Sequence, residues 1–159
     1  MLERLVTTSQ GRRKFRHMVI SLTGTGPVGQ RLIDAGIPVR ALGMRSGLGA
    51  IAAFWGLRAM LRELHPDIVQ TWMYHADLLG GVAAWLAGHI PIVWGVRHSD
   101  PFTQGYGPLT VPTVKLCARL SRWIPERIVC CSEASRQAHV AVGDAGQPPD
   151  RIQGRLGHR

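Results

Sequence analysis

The stretch Pro91 to Asp100 reads PIVWGVRHSD and joins a short apolar run to an abrupt polar end. An apolar run of this length predicts a β-strand buried on both faces, which is the usual state of a strand in a parallel sheet. In open α/β sheets, ligands bind just beyond the carboxyl ends of such strands. The sequence therefore predicts a site at Arg97, His98 and Asp100, with His98 as the first candidate.

The composition is that of a globular protein. Of the 159 residues, 45% are hydrophobic and 18% are charged, which fits one domain with one core. The longest strongly apolar stretch, Leu78 to Ala87, is about half the ~20 residues that a transmembrane helix requires. The N-terminal residues place their basic cluster after the apolar ones, the reverse of a secretory signal peptide. We therefore expect a cytoplasmic protein.

The net charge of +9 is compatible with nucleic acid, an anionic membrane surface, a phosphorylated substrate or simply a solvated basic surface. Because most arginines are dispersed and no nucleic-acid-binding motif is present, we expect no nucleic-acid partner. The three cysteines, Cys117, Cys130 and Cys131, lack the spacing of a zinc site or a disulfide framework. They are predicted to be buried free thiols, and no metal site is predicted.

Short β-rich segments alternate with helical spacing along the rest of the chain. Five strands are predicted, at His17–Leu22, Pro38–Leu42, Asp67–Thr71, Pro91–Val96 and Arg127–Cys131. Between them, apolar stripes such as His75, Leu79, Val82 and Leu86 recur at helical spacing, and Gly or Pro precedes most strands. This alternation predicts βαβ units. We therefore predict an α/β fold, with an open, mostly parallel, Rossmann-like sheet of about five strands and helices on both faces.

A glycine motif follows the first predicted strand. Gly24, Gly26 and Gly29 have the spacing of the dinucleotide-binding fingerprint. The acid expected about 20 residues further on is missing, and the second strand ends near Arg45, a residue type that favours the 2′-phosphate of NADP. Three glycines in a turn also serve simply to allow tight backbone geometry. An NADP-type oxidoreductase fragment therefore stays open as an alternative.

Two further groups of polar residues follow predicted strands. His75 and Asp77 come after the third strand, near the N-terminus of the next helix, where backbone N–H groups favour an anion. The structural alternative is that Asp77 is a capping or first-turn acid and that His75 packs against the sheet edge. Ser132 and Glu133 follow the last strand and open a helix, where Ser132 is a natural N-cap. The candidate substrate-binding residues are thus Arg97, Asp100, His75, Asp77, Ser132 and Glu133.

Four segments carry a resemblance to a known family. They are SLTGTGPVGQRLIDAGIPVRALGM (21–44), LRELHPDIVQTWMYHADLLGGVAAWLAG (61–88), PIVWGVRHSD (91–100) and RIVCCSEASRQAHVAVG (127–143). In this order and spacing they resemble the N-terminal domain of family 4 glycosyltransferases, which have the two-domain GT-B fold. The resemblance covers residues 1–143, where this domain is predicted; residues 144–159 are predicted to be a polar, irregular tail.

The resemblance implies a retaining, hexosyltransferase-like reaction. A sugar passes from a nucleotide-sugar donor to a glycan or lipid-linked acceptor, such as a cell-envelope glycan, with no cofactor besides the donor. The N-terminal domain of such enzymes mainly binds the acceptor, which also implies peripheral association with the inner face of a membrane. By this resemblance His98 is catalytic and lies near the transferred sugar, Arg97 contacts an acceptor phosphate, and Asp100, His75 and the Ser132-Glu133 turn line the cleft.

The two ends depart from the family pattern. Family members begin with a strand and a glycine-rich loop, whereas Met1 to Val6 resembles the helix that follows them. They continue into a strand ending in Ile-Pro-Asn-Gly and a nucleotide-binding domain, whereas this chain has RIQGRLGHR. We therefore expect an incomplete, inactive fragment without the donor-binding domain, its open sheet edge covered by that domain or by another chain. A non-catalytic sugar- or nucleotide-binding module is the second alternative.

Overall fold

The computed structural model describes residues 2–8, 14–45, 48–96, 110–133, 135–137 and 152–154. Within these ranges, helices and strands alternate along the chain. They are α1 (Leu2–Thr7), β1 (Val19–Ser21), α2 (Gly26–Asp34), β2 (Val39–Ala41), α3 (Leu48–Leu64), β3 (Val69–Trp72), α4 (Tyr74–Gly88), β4 (Ile92–Val96), α5 (Thr110–Leu120), β5 (Arg127–Cys130) and β6 (Ile152–Gly154). The chain divides into two compact units, Met1–Leu57 and Arg58–Arg159.

The first unit is built on one βαβ motif. β1 and β2 are parallel, with Val19 opposite Val39, and α2 connects them. The core of this unit is formed by Val6 of α1, Leu32 of α2 and Ile37, all buried, with Val19 and Val39 packed against them. The amphipathic spacing of α2 thus buries one face of the helix against its own strands.

The second unit contains a four-stranded parallel sheet in the order β3-β4-β5-β6. The carboxyl ends of its neighbouring strands are aligned, since Trp72 lies opposite Gly95 and Val96 lies opposite Cys130. α4 packs against β3 and β4, and α5 packs against α4. The apolar β4, with Ile92 and Trp94 at most 2% exposed, is therefore a central strand, as PIVWGV predicts.

α4 approaches the sheet through small residues. A Cβ on Gly80 would lie 2.7 Å from Cγ2 of Thr71, and the buried face of the helix also includes Gly81, Ala83 and Ala84. The predicted stripe of larger residues is therefore wrong for this helix: His75 is exposed, and Leu86 is 38% exposed.

The predicted α/β fold with a mostly parallel sheet is confirmed, and each predicted strand overlaps an observed one. In the described residues, however, the strands are divided between sheets of two and four instead of one sheet of about five. The segment 144–159, expected to be irregular, contains β6, which pairs in parallel with β5. Three residues are too few for a period-2 pattern, so only the pairing with β5 reveals this strand.

The described helices include none that is both long enough and apolar enough to cross a membrane.

Candidate functional site

The candidate residues follow three neighbouring parallel strands at the same edge of the sheet. The pairing continues one residue past the strand ends, since the N–H of Met73 donates to the Gly95 carbonyl (3.3 Å) and the N–H of Cys131 donates to the Val96 carbonyl (3.1 Å). The chain therefore leaves β3 and β5 beside the carboxyl end of β4. This is the edge at which open α/β sheets bind their ligands.

The sequence predicts a ligand site in the residues that follow β4. Arg97, His98 and Asp100 lie outside the described residues, so their roles stay predictions. The strand that leads to them is well defined, because Gly95 and Val96 are both buried. Gly95 is paired with both neighbouring strands, and Val96 is paired with Cys130 of β5.

His75 lies in the first turn of α4 and its side chain is exposed. Packing of His75 against the sheet edge, the structural alternative, therefore does not account for this residue. Met73, the N-cap residue of α4, makes no side-chain hydrogen bond to the helix. An exposed imidazole in the first turn of a helix is suited to hydrogen-bond an anionic or hydroxylated ligand.

Asp77 is a first-turn acid but does not cap the helix. Its side chain is 1% exposed, and a hydrogen bond of 2.5 Å joins its Oδ1 to Oγ1 of Thr71 on β3. Oδ2 has no hydrogen-bond partner among the described residues. Desolvation by burial raises the pKa of Asp77 to about 7, although hydrogen bonds from Thr71 and the Gly95 backbone favour the charged form. So deep a carboxyl is not placed to touch a substrate, unlike the prediction from sequence.

The turn between β3 and α4 holds a strained residue that the sequence does not reveal. Met73 has φ 78° and ψ 149°, a conformation populated almost only by glycine and costing about 1–3 kcal/mol in other residues. Its N–H is bonded to Gly95, and its carbonyl accepts from the N–H of Asp77 at 2.8 Å. Methionine is not a turn-forming residue type, so no local signal pointed to this geometry.

Ser132 and Glu133 follow β5 and both have structural partners. Oγ of Ser132 accepts a hydrogen bond from the N–H of Ser135 at 3.1 Å, which confirms the predicted N-cap. Glu133 forms a surface ion pair with Arg136 at 2.6 Å, and hydrogen bonds from Arg136 lower the pKa of Glu133. A ligand at this position would have to compete with Arg136 for the carboxylate.

The glycine motif lies in the first unit and has a structural explanation. Gly26 has φ 60°, which favours glycine. A Cβ on Gly29 would lie 2.7 Å from Cγ2 of Thr25, so the third glycine is needed for packing within its own turn. The structure thus explains two of the three glycines without a dinucleotide.

A parallel α/β sheet with its candidate polar groups at the carboxyl edge defines a Rossmann-like domain. The sequence profile of Glycosyltransferase Family 4 matches residues 5–153. Because this match covers most of the chain, the protein belongs to Glycosyltransferase Family 4.

Solved structures of HepE from Anabaena are similar to this chain. The complexes of HepE with UDP, with UDP-glucose and with UDP plus glucose superpose with TM-scores of 0.71, 0.72 and 0.72, at 18% sequence identity. The similarity covers 96% of this chain but 38% of the HepE chain, and the fold corresponds to one half of a GT-B glycosyltransferase. No protein of curated function matches the chain.

Proposed function

We propose that this chain forms the acceptor-side domain of a retaining, hexosyltransferase-like enzyme that moves a sugar from a nucleotide-sugar donor to a glycan or lipid-linked acceptor, such as a cell-envelope glycan. The observation that carries the proposal is the Family 4 match over residues 5–153. The fold of one GT-B half supports it, and so do the UDP and UDP-glucose bound by the similar HepE. No cofactor besides the donor is required in this proposal, and the enzyme acts in the cytoplasm.

The proposed site is the carboxyl edge of β3, β4 and β5. His98 is the catalytic residue beside the transferred sugar, and Arg97 binds an acceptor phosphate through its guanidinium. Asp100 and the exposed His75 form hydrogen bonds with hydroxyl groups of the acceptor molecule. Ser132 and Glu133 line the same edge. The alignment of the three strand ends supports this grouping.

Sugar transfer requires a second domain in this proposal. The chain spans 38% of HepE, and GT-B chemistry takes place in a cleft between two domains. A misplacement of about 1 Å of a reacting group costs about 100-fold in rate, so one wall of the cleft does not suffice. We expect the 159-residue chain alone to bind an acceptor without transferring sugar.

The binding part is tested by NMR on the 159-residue chain, with citronellyl phosphate as a short lipid-phosphate probe. We expect the probe to shift the amide signals that follow β3, β4 and β5. Arg97→Gln and His98→Ala should each weaken binding about tenfold, as expected for a lost charge-assisted contact. His89→Ala is the matched control, since His89 is exposed at the opposite end of α4. Shifts confined to other surfaces would overturn the proposed site.

The transfer part is tested with labelled UDP-glucose and the same probe. We expect no labelled product from the chain alone, and detectable transfer would refute the need for a second domain. A non-catalytic sugar-binding module would bind plain glucose as well as the phosphate probe. An NADP-type fragment would show a raised thermal midpoint with NADPH, since a ligand that binds only the folded state stabilises it.

We also propose that the protein associates peripherally with an anionic membrane surface. On α3, Leu48, Ile51 and Trp55 are 85%, 57% and 53% exposed, and they recur on one side of the helix. The exposed Arg45 precedes them, the first turn of α3 has no acid, and the net charge is +9. Exposed apolar side chains, one of them Trp, beside basic residues are typical of interfacial helices.

Sedimentation with vesicles tests this association. We expect binding to vesicles of phosphatidylcholine and phosphatidylglycerol in equal parts, and little binding to phosphatidylcholine alone. The double variant Ile51→Glu, Trp55→Glu should lose it. The matched control is Val111→Glu, Leu116→Glu on α5, where the side chains are 37% and 43% exposed. Equal binding by both double variants would contradict the proposal.

A further inference from the structure

Asp77 is a buried carboxyl in the first turn of α4, and its contacts assign it a role other than substrate binding. Oγ1 of Thr71 lies 2.5 Å from Oδ1 of Asp77 and 3.3 Å from the carbonyl of Val93 on β4. A threonine hydroxyl has one proton to donate but can accept as well. The protonation of Asp77 therefore decides how these two contacts are satisfied.

With Asp77 ionised, the Thr71 hydroxyl donates to the carboxylate and has no proton left for Val93. With a proton on Oδ1, Asp77 donates to Oγ1 of Thr71, and Thr71 in turn donates to the Val93 carbonyl. Both the Asp77–Thr71 contact and the Thr71–Val93 contact are then complete hydrogen bonds, each with one donated hydrogen. Oδ2 becomes a neutral carbonyl oxygen, which is less costly to bury without a partner than a charged oxygen.

The surroundings of Asp77 also favour the neutral form. β3 and β4 carry no charged residue. On α5, Lys115 and Arg119 are exposed, and the group that faces α4 is the Cys117 thiol, whose Sγ donates to the carbonyl of Tyr74 at 3.5 Å. On α4 itself, the other titratable residues of the first turn are the exposed His75 and the buried Tyr74.

We propose that Asp77 is a positioning residue whose neutral carboxyl donates to Thr71 and thereby ties the first turn of α4 to β3 and β4. Two candidate groups depend on this tie. His75 lies two residues before Asp77, and Gly95, which also contacts the Asp77 carboxyl, comes three residues before His98. The link to sugar transfer rests on the proposed function, whereas the neutral carboxyl and its hydrogen bonds do not.

Carbon NMR of the Asp77 Cγ is the direct test on the 159-residue chain. We expect a titration midpoint near pH 7, against the ordinary value of 3.8, and the amide signals of Thr71 and Gly95 should follow the same midpoint. Asp77→Asn should remove this transition from both amides and keep the fold, since an amide N–H also donates to Thr71. The control Asp67→Asn, at an exposed carboxylate before β3, should leave the transition in place.

A midpoint below pH 5, or amides of Thr71 and Gly95 that do not follow Asp77, would overturn the proposal. Thr71→Val is a second test, in which Asp77 itself is kept. It should move the titration midpoint of Asp77 upward, because the hydrogen bond that favours the charged form is lost. A fall of the midpoint would contradict the assigned contact. None of these signals requires bound sugar, so a failed citronellyl phosphate titration would refute the proposed function and leave this result standing.

The positioning role has its own reading in the pH dependence of probe binding. Wild type should lose affinity for citronellyl phosphate more steeply between pH 6 and pH 8.5 than Asp77→Asn does. The reason is that only wild type has a carboxyl at position 77, whose ionisation breaks the hydrogen bonds to β3 and β4. Identical pH profiles would limit Asp77 to a structural role.

Discussion

Gly81 and Trp94 are in contact so close that a larger residue does not fit between α4 and β4. A Cβ on Gly81 would lie 3.0 Å from Nε1 of Trp94 and 2.9 Å from Cγ2 of Ile124. Trp94 is 2% exposed and belongs to the central strand, so it has little room to move. The height of α4 above the sheet, and with it the placement of His75, depends on this contact.

Gly81→Ala should therefore destabilise the protein. Alanine favours a helix over glycine by about 1 kcal/mol, but overpacking a core costs about 1–3 kcal/mol, and both neighbours here are buried or half-buried. We expect a lower urea midpoint. The matched control is Gly56→Ala in α3, where a Cβ would meet nothing within 4 Å and stability should rise. A stabilised Gly81→Ala would show that α4 is free to shift.

Met73→Gly should raise stability by about 1 kcal/mol, because glycine adopts the strained backbone conformation without the steric cost. The side chain of Met73 is 46% exposed, so little burial is lost. Chemical denaturation measures the effect. His75→Gly, at an exposed position in the first turn of α4, should instead cost about 0.3–0.5 kcal/mol, because glycine is a poorer helix former than histidine. A Met73→Gly variant that also loses stability would contradict the strain.

The five predicted strands could be recognised because their signals are local, whereas β6 could not. β4 is announced by an unbroken apolar run, and Pro91 and Gly88 mark the boundary before it. The buried face of α4 is not predictable in this way. Its contacts depend on Gly80 and Gly81, whose value lies in the absence of a side chain, whereas a hydrophobic stripe ranks large residues first.

The candidate site was predictable to the level of the sheet edge but not to the level of each side chain. Polar residues after three strands indicate the edge, and Ser132 is recognisable as a cap because its role is local. The role of Asp77 could not be predicted from the sequence, since an acid in the first turn of a helix either faces solvent or packs against the sheet. The choice depends on Thr71, six residues away on another element.

Ser132→Ala should destabilise the helical turn that follows Ser132, at residues 133 and 135–137, by about 1 kcal/mol, because the N–H of Ser135 loses its cap. Ser135 is fully buried, so water does not readily replace the lost partner. Ser132→Asp, which also caps, should keep the stability. Glu133→Gln removes only an exposed ion pair and should change the thermal midpoint little at physiological salt. A larger loss for Glu133→Gln than for Ser132→Ala would reverse this ranking.

Asp77→Asn should make the protein more stable than wild type at alkaline pH. Burial raises the folded-state pKa of Asp77 from 3.8 to about 7, so between these values the folded protein binds more protons than the unfolded chain. The free energy of unfolding of wild type therefore falls as the pH rises from about 4 to 7 and is level above that range. Each pKa unit corresponds to about 1.4 kcal/mol, so the whole effect is a few kcal/mol.

Asparagine carries no charge at any of these pH values, so the free energy of unfolding of Asp77→Asn does not fall with pH for this reason. The difference in thermal midpoint between Asp77→Asn and wild type should thus be small at pH 4, grow through pH 5 to 7, and stay constant above pH 8. Asp67→Asn, where the carboxylate is exposed, should show no such growth. A difference that shrinks with rising pH would mean that the ionised carboxylate stabilises the fold, in which case Thr71 donates to Asp77 and the tie to Val93 is absent.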